Sequence, residues 1–509
     1  MSHITLVRPP ALISRHSNTG PLTPPIGLAY IAASLIEAGH SVTIVDGIGE
    51  DPLKITPLFD DRMLAIGLLM HEIVERVPQH TDLIGVSCMF SQEWPYIRKL
   101  IELLKIKSPQ VPLLAGGEHI TAMPDFVLEE CPDLEYCALG EGEETLVDIA
   151  KRLDDPTTMT EVEGLALRRE GRILRTPPRA RITAIDDIPQ PAWDLVPLEN
   201  YLSNGLGYGV DLGRSMPLIA TRGCPFRCTF CSNPSMWTTK WIARKPELVL
   251  DEIEEYIKKY QVDNIDFYDL TAIVRKDWIV EFCQLIKQRN LKFTWQLPSG
   301  TRSEAIDAEV SQLLYEAGCR NLSYAPESGS METLKKIKKM VKLDRMLDSM
   351  KAAVKNGLNV KAHVIIGFPR ETRRQVWETL GFLVKMAWIG VHDMSITMFS
   401  PYPGSELFQE LTEDKKITEY SDDYFLGLAC YSDPTQTVSW CSNLSTKELN
   451  LMWLLGTLIF YSTQYTLRPW RLIRMLFNLI SQRQESRLDK SLQEYIRRVF
   501  VTRKSLAAK

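Results

Sequence analysis

Three cysteines within eight residues restrict this chain more than any other feature. Cys224, Cys228 and Cys231 have the spacing C-x3-C-x2-C. A [4Fe–4S] cube usually takes four thiolates, so three leave one iron open to a small molecule. Zinc sites more often pair two C-x2-C knuckles, and no second knuckle occurs in the sequence. The spacing favours an iron–sulfur cluster over a structural zinc or iron site, or three unrelated thiols.

The residues before the cysteines predict that they follow a buried strand. Leu218–Ala220 is apolar, and Gly223 and Pro225 then force a loop. Parallel α/β folds place their chemistry at the carboxyl ends of the strands. We therefore expect the cluster at such a strand end.

With Phe230 directly before the third cysteine, this stretch resembles the signature of radical S-adenosylmethionine (SAM) enzymes. The resemblance implies that Cys224, Cys228 and Cys231 hold a [4Fe–4S] cluster whose open iron binds SAM. It also implies that reduction of the cluster cleaves SAM to a 5′-deoxyadenosyl radical. The electron would come from an external donor such as flavodoxin or ferredoxin.

Length and composition set broad limits. A chain of 509 residues predicts two to four domains. A net charge of −5 argues against binding nucleic acid. Ten scattered cysteines indicate free thiols in a reducing compartment and not a disulfide framework. The segment Met1–Val7 enters a strand directly, so we expect no signal peptide. No apolar run has the length of a membrane span, and the prediction is a cytoplasmic protein.

Residues 1–155 alternate short apolar runs with amphipathic stretches, which predicts a Rossmann-like parallel sheet. The predicted strands are Ile4–Val7, Ser41–Val45, Leu83–Cys88, Pro112–Ala115 and Tyr136–Leu139. The intervening helices are expected at Gly27–Ala38, Met63–Val77, Glu93–Lys107, Asp125–Glu130 and Glu144–Leu153. No G-x-G-x-x-G follows the first strand, so a nicotinamide or flavin cofactor is disfavoured.

Three segments of this domain, P-P-x-G-L, G-G-x-H and G-E-G-E, resemble the cobalamin-binding domain of cobalamin-dependent radical SAM enzymes. The resemblance implies that the loops after the strands contact cobalamin through Pro25, Gly27, Ser87, Gly116, Gly117, His119, Gly140, Glu141 and Gly142. The D-x-H-x-x-G motif that supplies a histidine to cobalt is missing. His119 fits a hydrogen bond to the corrin or to the backbone better than a cobalt ligand. A domain that holds no cobalamin is the alternative.

A linker is expected at residues 156–215. Apolar and charged residues alternate around Glu170-Gly171, which predicts a hairpin. The segment Ile185–Asp194 is rich in proline and acidic residues and predicts an extended connector. The glycine-rich segment Tyr201–Ser215 has two interpretations, a mobile loop over the site or a plain surface linker.

Residues 216–410 contain six strand patterns separated by five helix patterns, which resembles the partial (β/α)6 TIM-type barrel of the radical SAM family. The strands are expected at Leu218–Thr221, Asn264–Phe267, Lys292–Gln296, Asn321–Ala325, Lys361–Ile366 and Asp393–Phe399. The resemblance implies that residues at their ends contact SAM or the substrate. These are Asp269, Gln296, Arg302, Glu327, Ser328 and Gly367. Asp269 could equally be a solvated loop acid, Arg302 part of a surface ion pair, and Glu327 an N-cap partner.

Residues 411–509 are predicted to be helical. Ser445 and Glu448 form a capping box at the start of one helix. From Tyr465 to Lys509 there are 11 Lys and Arg against three Asp and Glu. A basic amphipathic helix suits an anionic lipid surface, which would make the protein peripheral at a membrane. The alternative is a helix pair that packs on the barrel with its basic face in water.

These patterns together predict an enzyme of α/β class, with a Rossmann-like domain, a radical SAM barrel and a helical tail. By resemblance it uses a [4Fe–4S] cluster, SAM and cobalamin to methylate an unactivated carbon of a hydrophobic or natural-product substrate. In methylating members the substrate radical takes the methyl group from methylcobalamin. Cobalamin-dependent cyclisation or oxidation of a tetrapyrrole- or lipid-like substrate is one alternative. A non-enzymatic iron–sulfur sensor is the other.

Overall fold

The computed structural model of the chain describes residues 1–17, 22–301, 305–431, 433–436 and 438–507. Arg302, which the sequence proposes as a SAM or substrate contact, lies outside these residues. The domain boundaries proposed from the sequence remain predictions.

The described part of the first 202 residues contains ten strands and seven α-helices. The strands are β1 (His3–Arg8), β2 (Ala11–Ser14), β3 (Ser41–Asp46), β4 (Ile55–Leu58), β5 (Met63–Ile66), β6 (Leu83–Ser87), β7 (Leu113–Gly116), β8 (Tyr136–Ala138), β9 (Leu165–Arg169) and β10 (Arg172–Arg175). The helices are α1 (Ile26–Glu37), α2 (Met70–Arg76), α3 (Trp94–Lys107), α4 (Glu118–Ala122), α5 (Pro124–Glu130), α6 (Gly142–Ala150) and α7 (Leu198–Leu202).

The main sheet of this part has seven strands in the order β10-β9-β8-β7-β6-β1-β3. The five strands from β8 to β3 are parallel, and the hairpin β9–β10 extends the sheet antiparallel at the β8 edge. β1 and β6 consist mostly of buried residues. This is typical of parallel strands that are covered by helices on both faces. The predicted Rossmann-like sheet and hairpin are present.

A second, three-stranded sheet in the order β2-β5-β4 differs from the prediction. The helix expected over Met63–Val77 is wrong in its first half, because Met63–Ile66 forms β5 and the helix begins only at Met70. All four residues of β5 are buried. Periodicity alone cannot separate so short an apolar run from a buried helix segment.

The rest of the chain contains eight strands and twelve helices among the described residues. The strands are β11 (Ser215–Leu218), β12 (Thr221–Arg222), β13 (Ile242–Ala243), β14 (Asn264–Phe267), β15 (Thr294–Thr301), β16 (Cys319–Glu327), β17 (Asn359–Ile366) and β18 (Asp393–Met398). The helices are α8 (Asn233–Trp237), α9 (Pro246–Tyr260), α10 (Lys276–Gln288), α11 (Ala308–Glu316), α12 (Met331–Lys336), α13 (Leu343–Lys355), α14 (Arg373–Ile389), α15 (Glu406–Glu413), α16 (Asp422–Gly427), α17 (Thr446–Leu467), α18 (Pro469–Ser481) and α19 (Arg487–Ala507).

Six parallel strands in the order β11-β14-β15-β16-β17-β18 form the partial barrel, which confirms the predicted fold class. We call the space that these strands enclose the lumen. Along β17 the residues alternate between half-buried and buried from Asn359 to Ile366. The buried set packs against the surrounding helices, so the half-buried set faces the lumen.

Strands β15 and β16 extend beyond their predicted carboxyl ends, and one site residue changes position as a result. β15 runs on to Thr301 and β16 spans Cys319–Glu327. Gln296 is therefore the third residue of β15 and pairs in register with Asp266 and Asn321, near the amino end of the lumen. The prediction that Gln296 ends a strand is wrong, because β15 continues through a bulge between Leu297 and Gly300.

The glycine-rich segment after α7 closes the amino end of the lumen. The backbone N–H of Gly209 donates to Asp266 at 2.8 Å, and the Gln296 amide exchanges two hydrogen bonds with the backbone of Val210, at 3.0 and 2.8 Å. A Cβ on Gly209 would lie 2.2 Å from the Gln296 side chain. The segment is thus neither a loop over the cysteine end nor a plain surface linker.

The tail helices complete this closure and cover one edge of the barrel. From α19, Lys490 donates to the carbonyls of Gly207 and Gly209 at 2.7 and 2.6 Å. Helix α17 packs on α14 and β18, and the predicted capping box of Ser445 and Glu448 is present at its start. Within the described part of the chain, no helix is both long enough and apolar enough to cross a bilayer.

Candidate active site

The cysteine loop is held on both sides by backbone hydrogen bonds. The N–H of Thr229 donates to the Ile337 carbonyl at 3.1 Å, and the Thr229 carbonyl accepts from Leu407 at 2.9 Å. Gly223 opens the loop with φ of 83°, and a Cβ there would lie 2.2 Å from the Lys240 carbonyl oxygen. The loop therefore requires glycine at position 223.

Cys224, Cys228 and Cys231 are half-buried, whereas the other seven cysteines are buried, and all ten are free thiols. The Thr271 hydroxyl donates to the Cys224 sulfur at 3.5 Å. Burial, together with the smaller effect of the nearby Glu118, Cys228 and Cys224, raises the pKa of the Cys231 thiol to about 12. Bound iron would reverse this shift, because a metal-coordinated thiol deprotonates.

The donor set of this loop fits a cubane better than a single ion. Among the described residues, no three His, Cys, Asp or Glu side chains converge on one metal position. In a cubane each thiolate binds a different iron, so the sulfurs stand apart. Two buried polar atoms of the loop, Thr229 Oγ1 and Asn233 Oδ1, have no hydrogen-bond partner in the described chain. They suit a ligand beside the cluster.

The predicted aromatic residue of the signature lies in an aromatic group. Phe230 packs against Phe368 with ring centroids 5.7 Å apart, and Phe368 packs against Phe399 at 5.5 Å. These rings come from the cysteine loop and from the ends of β17 and β18. They form an apolar wall beside the cysteines.

A buried ion network joins the cysteine loop to the first sheet. Arg222 donates to Glu141 at 3.0 Å and to Glu143 at 2.6 Å, and Arg181 donates to Glu141 at 2.6 Å. The Arg222 side chain is 6% exposed and that of Glu141 is 3% exposed. We call these four residues the interdomain clamp. Glu141, which is predicted to contact cobalamin, accepts from Arg222 and Arg181 through its two carboxylate oxygens.

Aromatic rings and a second contact support the clamp. The Arg222 guanidinium lies 5.3 Å from the Tyr30 ring centroid and 6.0 Å from that of Trp237. The Ser232 hydroxyl, next to Cys231, donates to the Glu118 carboxylate of α4. The contacts of Arg222, Glu143 and Glu118 were not predicted from the sequence. The paired residues lie 79 to 114 positions apart, and no local sequence pattern indicates such pairs.

Three of the residues predicted to contact SAM already form hydrogen bonds with other residues of the protein. The Asp269 carboxylate accepts from the backbone N–H groups of Ala220 and Thr221 and so holds the entry to the cysteine loop. Burial raises the pKa of Asp269 to about 6. The Ser328 hydroxyl pairs with Thr379 at 3.0 Å. Gln296 is hydrogen-bonded to Val210 at the amino end of the lumen.

Glu327 and Gly367 lie at the carboxyl ends of β16 and β17, as expected. Glu327 has a left-handed backbone with φ of 64° and forms an ion pair with Lys339 at 2.9 Å. Non-glycine residues with this conformation are often found at functional sites. The Gly367 N–H donates to Glu371 at 2.7 Å, and burial raises the pKa of Glu371 to about 7. Sequence reasoning did not assign Glu371.

The loops at the carboxyl edge of the first sheet contain the predicted cobalamin residues. They are Pro25 and Gly27 at the start of α1, Ser87 at the end of β6, Gly116 at the end of β7, Gly117 and His119 directly after β7, and Gly140 and Gly142 after β8. A Cβ on Gly27 would meet nothing within 4 Å, and one on Gly140 would only touch the Met236 carbonyl at 4.0 Å. These two glycines leave open space that a flat ligand could fill.

The other glycines of this edge serve the protein itself. A Cβ on Gly117 would lie 2.5 Å from the Cys88 carbonyl oxygen, and one on Gly142 would lie 2.8 Å from Ile31. Their role is close packing of the loops. The sequence alone could not separate them from Gly27 and Gly140.

His119 is enclosed. Its side chain is 1% exposed, its Nδ1 lies 2.9 Å from the Ser91 hydroxyl, and Trp94 and Phe425 flank its ring at 5.3 and 5.4 Å. Burial lowers the pKa of His119 to about 3, so the imidazole is neutral. Its Nε2, with Trp94 Nε1 and Gln92 Oε1, is buried without a partner in the described chain. This polar set fits a ligand better than an empty structural domain.

Two parts of the chain match known families. Residues 17–150 match the B12 binding domain, and residues 218–383 match the radical SAM superfamily. The first range covers four of the seven strands of the first sheet, β3, β6, β7 and β8. The second covers the cysteine loop and four of the six barrel strands, β14 to β17.

Curated proteins are similar over most of the chain. An uncharacterized methyltransferase of Pyrococcus horikoshii, PH0819, is 30% identical over 80% of this chain and 82% of its own length. Cytidylyl-2-hydroxyethylphosphonate methyltransferase of Streptomyces wedmorensis is 29% identical, with 80% and 81% covered. Anaerobic magnesium-protoporphyrin IX monomethyl ester cyclase of Rubrivivax gelatinosus is 27% identical, with 79% and 69% covered.

A solved structure has the same fold. The radical SAM methyltransferase TsrM from Kitasatospora setae, determined with cobalamin and a [4Fe–4S] cluster bound, superposes with a TM-score of 0.62. The match covers 81% of this chain and 78% of TsrM at 17% identity. The sheet domain followed by a partial barrel is thus a known arrangement.

Proposed function

Because this chain belongs to the cobalamin-binding family of radical SAM enzymes, we propose that it transfers a methyl group to an unactivated carbon of a small substrate. The observation that carries the proposal is the buried clamp, which ties the cysteine loop to the domain that matches B12-binding proteins. Two cofactor sites held together in this way suit a reaction that uses both.

The family uses a [4Fe–4S] cluster, SAM and cobalamin. When bound, the cluster and SAM supply a radical that abstracts hydrogen, and cobalamin supplies a transferable methyl group. Cys224, Cys228 and Cys231 would hold the cluster. Gly27 and Gly140 would border the corrin.

The residues of the chain orient these groups and exclude water. We assign Glu327 and Gly367 to the SAM site because they lie at the carboxyl ends of β16 and β17. The Gly367 N–H already donates to Glu371. Phe230 and Phe368 shield the cysteine side from solvent. Asp269 fixes the backbone that leads into the loop, because its carboxylate accepts from Ala220 and Thr221.

Anaerobic reconstitution tests the proposal. We expect the purified chain, supplied with iron, sulfide and cobalamin, to bind one cluster and stoichiometric corrin, measured from iron content and the visible spectrum. With strong reductant it should release 5′-deoxyadenosine from SAM. A cluster without corrin would exclude the methyl transfer, and failure to cleave SAM would contradict the radical reaction.

Radical cyclisation or oxidation is the second candidate, supported by the similarity to the cyclase of Rubrivivax gelatinosus. Product mass separates the two reactions. Methylation adds one methylene unit, whereas dehydrogenative cyclisation removes hydrogens. The non-enzymatic sensor is set aside, because the family consists of enzymes.

We also propose that the tail contacts an anionic membrane surface, which would suit a hydrophobic substrate. Helices α14, α17 and α18 pack side by side and expose Trp377, Trp388 and Trp470, which are 49%, 65% and 60% accessible. Leu454, Leu458, Ile473, Phe477 and Ile480 add exposed apolar surface on the same helices. Tryptophan and aliphatic residues of this kind favour the membrane interface.

Fewer basic residues are available for lipid than the sequence count indicates. Arg468 and Arg471 donate to backbone carbonyls at the end of α14 and before β18, and Lys490 is buried in the floor of the lumen. Arg474 and Lys385 remain exposed beside the apolar face. The contact would therefore depend mainly on apolar side chains.

The triple variant Trp470→Ser, Ile473→Ser, Phe477→Ser should lose sedimentation with vesicles of phosphatidylglycerol and phosphatidylcholine. Burial of a large apolar side chain contributes about 1.5–3 kcal/mol, so binding should fall at least about 100-fold. Ile106→Ser, at an exposed apolar position on α3, is the matched control. Equal sedimentation of wild type and triple variant, or a dimer formed through this face in ultracentrifugation, would contradict the contact.

A further inference from the structure

We propose that Lys361 and His363 form a binding site for an anionic group of the substrate inside the lumen. The inference rests on the proposed function, since it assigns a chemical class to the substrate of that reaction. Neither residue was identified from the sequence.

Both side chains face the lumen from the same strand. Lys361 and His363 are half-buried positions of β17, and the residues between and beside them are buried against the helices. Lys361 pairs in register with Ser323 of β16 and with Asp393 of β18, and His363 pairs with Ser395. Residues in register on parallel strands share a face, so a cation, an imidazole and two hydroxyls lie close together.

Lys361 and His363 have no internal partner. Neither makes a hydrogen bond or an ion pair with any residue that the structure describes. Three carboxylates border the lumen, Asp266, Glu327 and Asp393, and each already accepts from protein groups. A charge inside the barrel without a partner is costly, so this pair suits a ligand that brings the opposite charge.

The protonation states fit an anion. Burial lowers the pKa of Lys361 to about 8, which leaves the amine mostly cationic at neutral pH. Burial, and then the charges of Lys361, Arg487 and Lys339, lower the pKa of His363, so its ring is neutral. The pair thus offers an ammonium group and an imidazole N–H. A carboxylate, phosphate or phosphonate accepts from both.

The lumen determines how such a ligand would lie. Its amino end is closed by Gly209 and Lys490, so a ligand enters from the cysteine end. At about 3.3 Å per residue, Lys361 lies about 16 Å below Ile366 along the strand. The anionic group would bind at the bottom, and the reacting carbon would remain at the mouth. The substrate class is therefore an elongated acid.

Calorimetric titration of the reconstituted holoenzyme with phenyl phosphate tests the site, with benzyl alcohol as the neutral comparison. We expect phenyl phosphate to bind wild type, and Lys361→Met to weaken it at least about tenfold, the loss typical of one charged hydrogen bond. Lys385→Met, which removes an exposed amine on α14, should bind as wild type does. His363→Gln, which keeps a neutral donor, is the second variant and should retain intermediate affinity.

The affinity for SAM shows whether this site binds an anionic group of the substrate or the carboxylate of SAM. In equilibrium dialysis we expect Lys361→Met to bind SAM within about twofold of wild type. A tenfold loss would assign the site to the carboxylate of SAM and overturn the proposal. Equal binding of phenyl phosphate to wild type and Lys361→Met, or no binding to wild type, would also overturn it. Failure of the proposed function would instead appear as wild type that does not cleave SAM.

Discussion

The Arg222→Met variant is expected to unfold roughly 3–5 °C below wild type. The substitution removes both hydrogen bonds that the Arg222 guanidinium makes in the clamp and leaves the buried Glu143 carboxylate without its partner. Breaking one side of a buried ion pair costs about 3–5 kcal/mol, and a shift of this size follows for a large chain. Differential scanning calorimetry of the anaerobic protein measures it.

A double variant separates the charge effect from simple loss of packing. Replacing Arg222 and Glu143 together, by Met and Leu, removes the unpaired charge and fills the same volume. Apolar replacement of a whole buried pair is often neutral or stabilising, so most of the lost stability should return. If the double variant unfolds as early as Arg222→Met, the clamp stabilises through shape and not through charge.

Loss of the clamp should also change the surroundings of the cluster, because Arg222 lies two residues before Cys224. We expect Arg222→Met to alter the electron paramagnetic resonance spectrum of the reduced cluster and Arg222→Lys to restore part of it. Arg179→Gln is the matched control. Arg179 pairs with Asp148 and Glu144, both partly exposed, so its loss should cost about 1 kcal/mol or less and leave the spectrum unchanged.

Local patterns predicted most of the fold because each barrel unit repeats one signal. The sequence pattern predicts helices at Pro246–Tyr260, Lys276–Arg289 and Leu343–Asn356, and these agree with α9, α10 and α13 to within one residue at each end. The cysteine loop could be located for the same reason, since spacing, glycine and proline are all local. These features do not depend on distant partners.

The site residues were harder to predict because their roles depend on contacts between distant parts of the chain. Gln296 was misplaced because Pro298 and Gly300, which usually end a strand, lie inside β15. Glu141 was assigned to cobalamin, yet its partner Arg222 lies 81 residues away. The alternation of Lys361 and His363 with small apolar residues was visible and could have shown that both face the lumen.

Cys224→Ala, Cys228→Ala and Cys231→Ala are each expected to lose the cluster and all cleavage of SAM. Loss of an outer-shell partner alone costs roughly 10- to 100-fold in metal affinity, and loss of a direct thiolate should cost more. Iron content after reconstitution and gel filtration should fall by at least that factor. The visible charge-transfer absorption should disappear with it.

Cys283→Ala is the matched control, since Cys283 is a buried thiol of α10 outside the cysteine loop. It should keep full iron content, and the small cavity should lower its melting temperature slightly. Corrin binding by the three cysteine variants is a second measurement. The unpartnered polar atoms of Gln92, Trp94 and His119 belong to the first sheet domain and not to the cysteine loop, so the cysteine variants should still bind cobalamin. Loss of iron and corrin together would mean that the two sites depend on each other through the clamp, and retention of iron in any of the three variants would exclude that cysteine as a ligand.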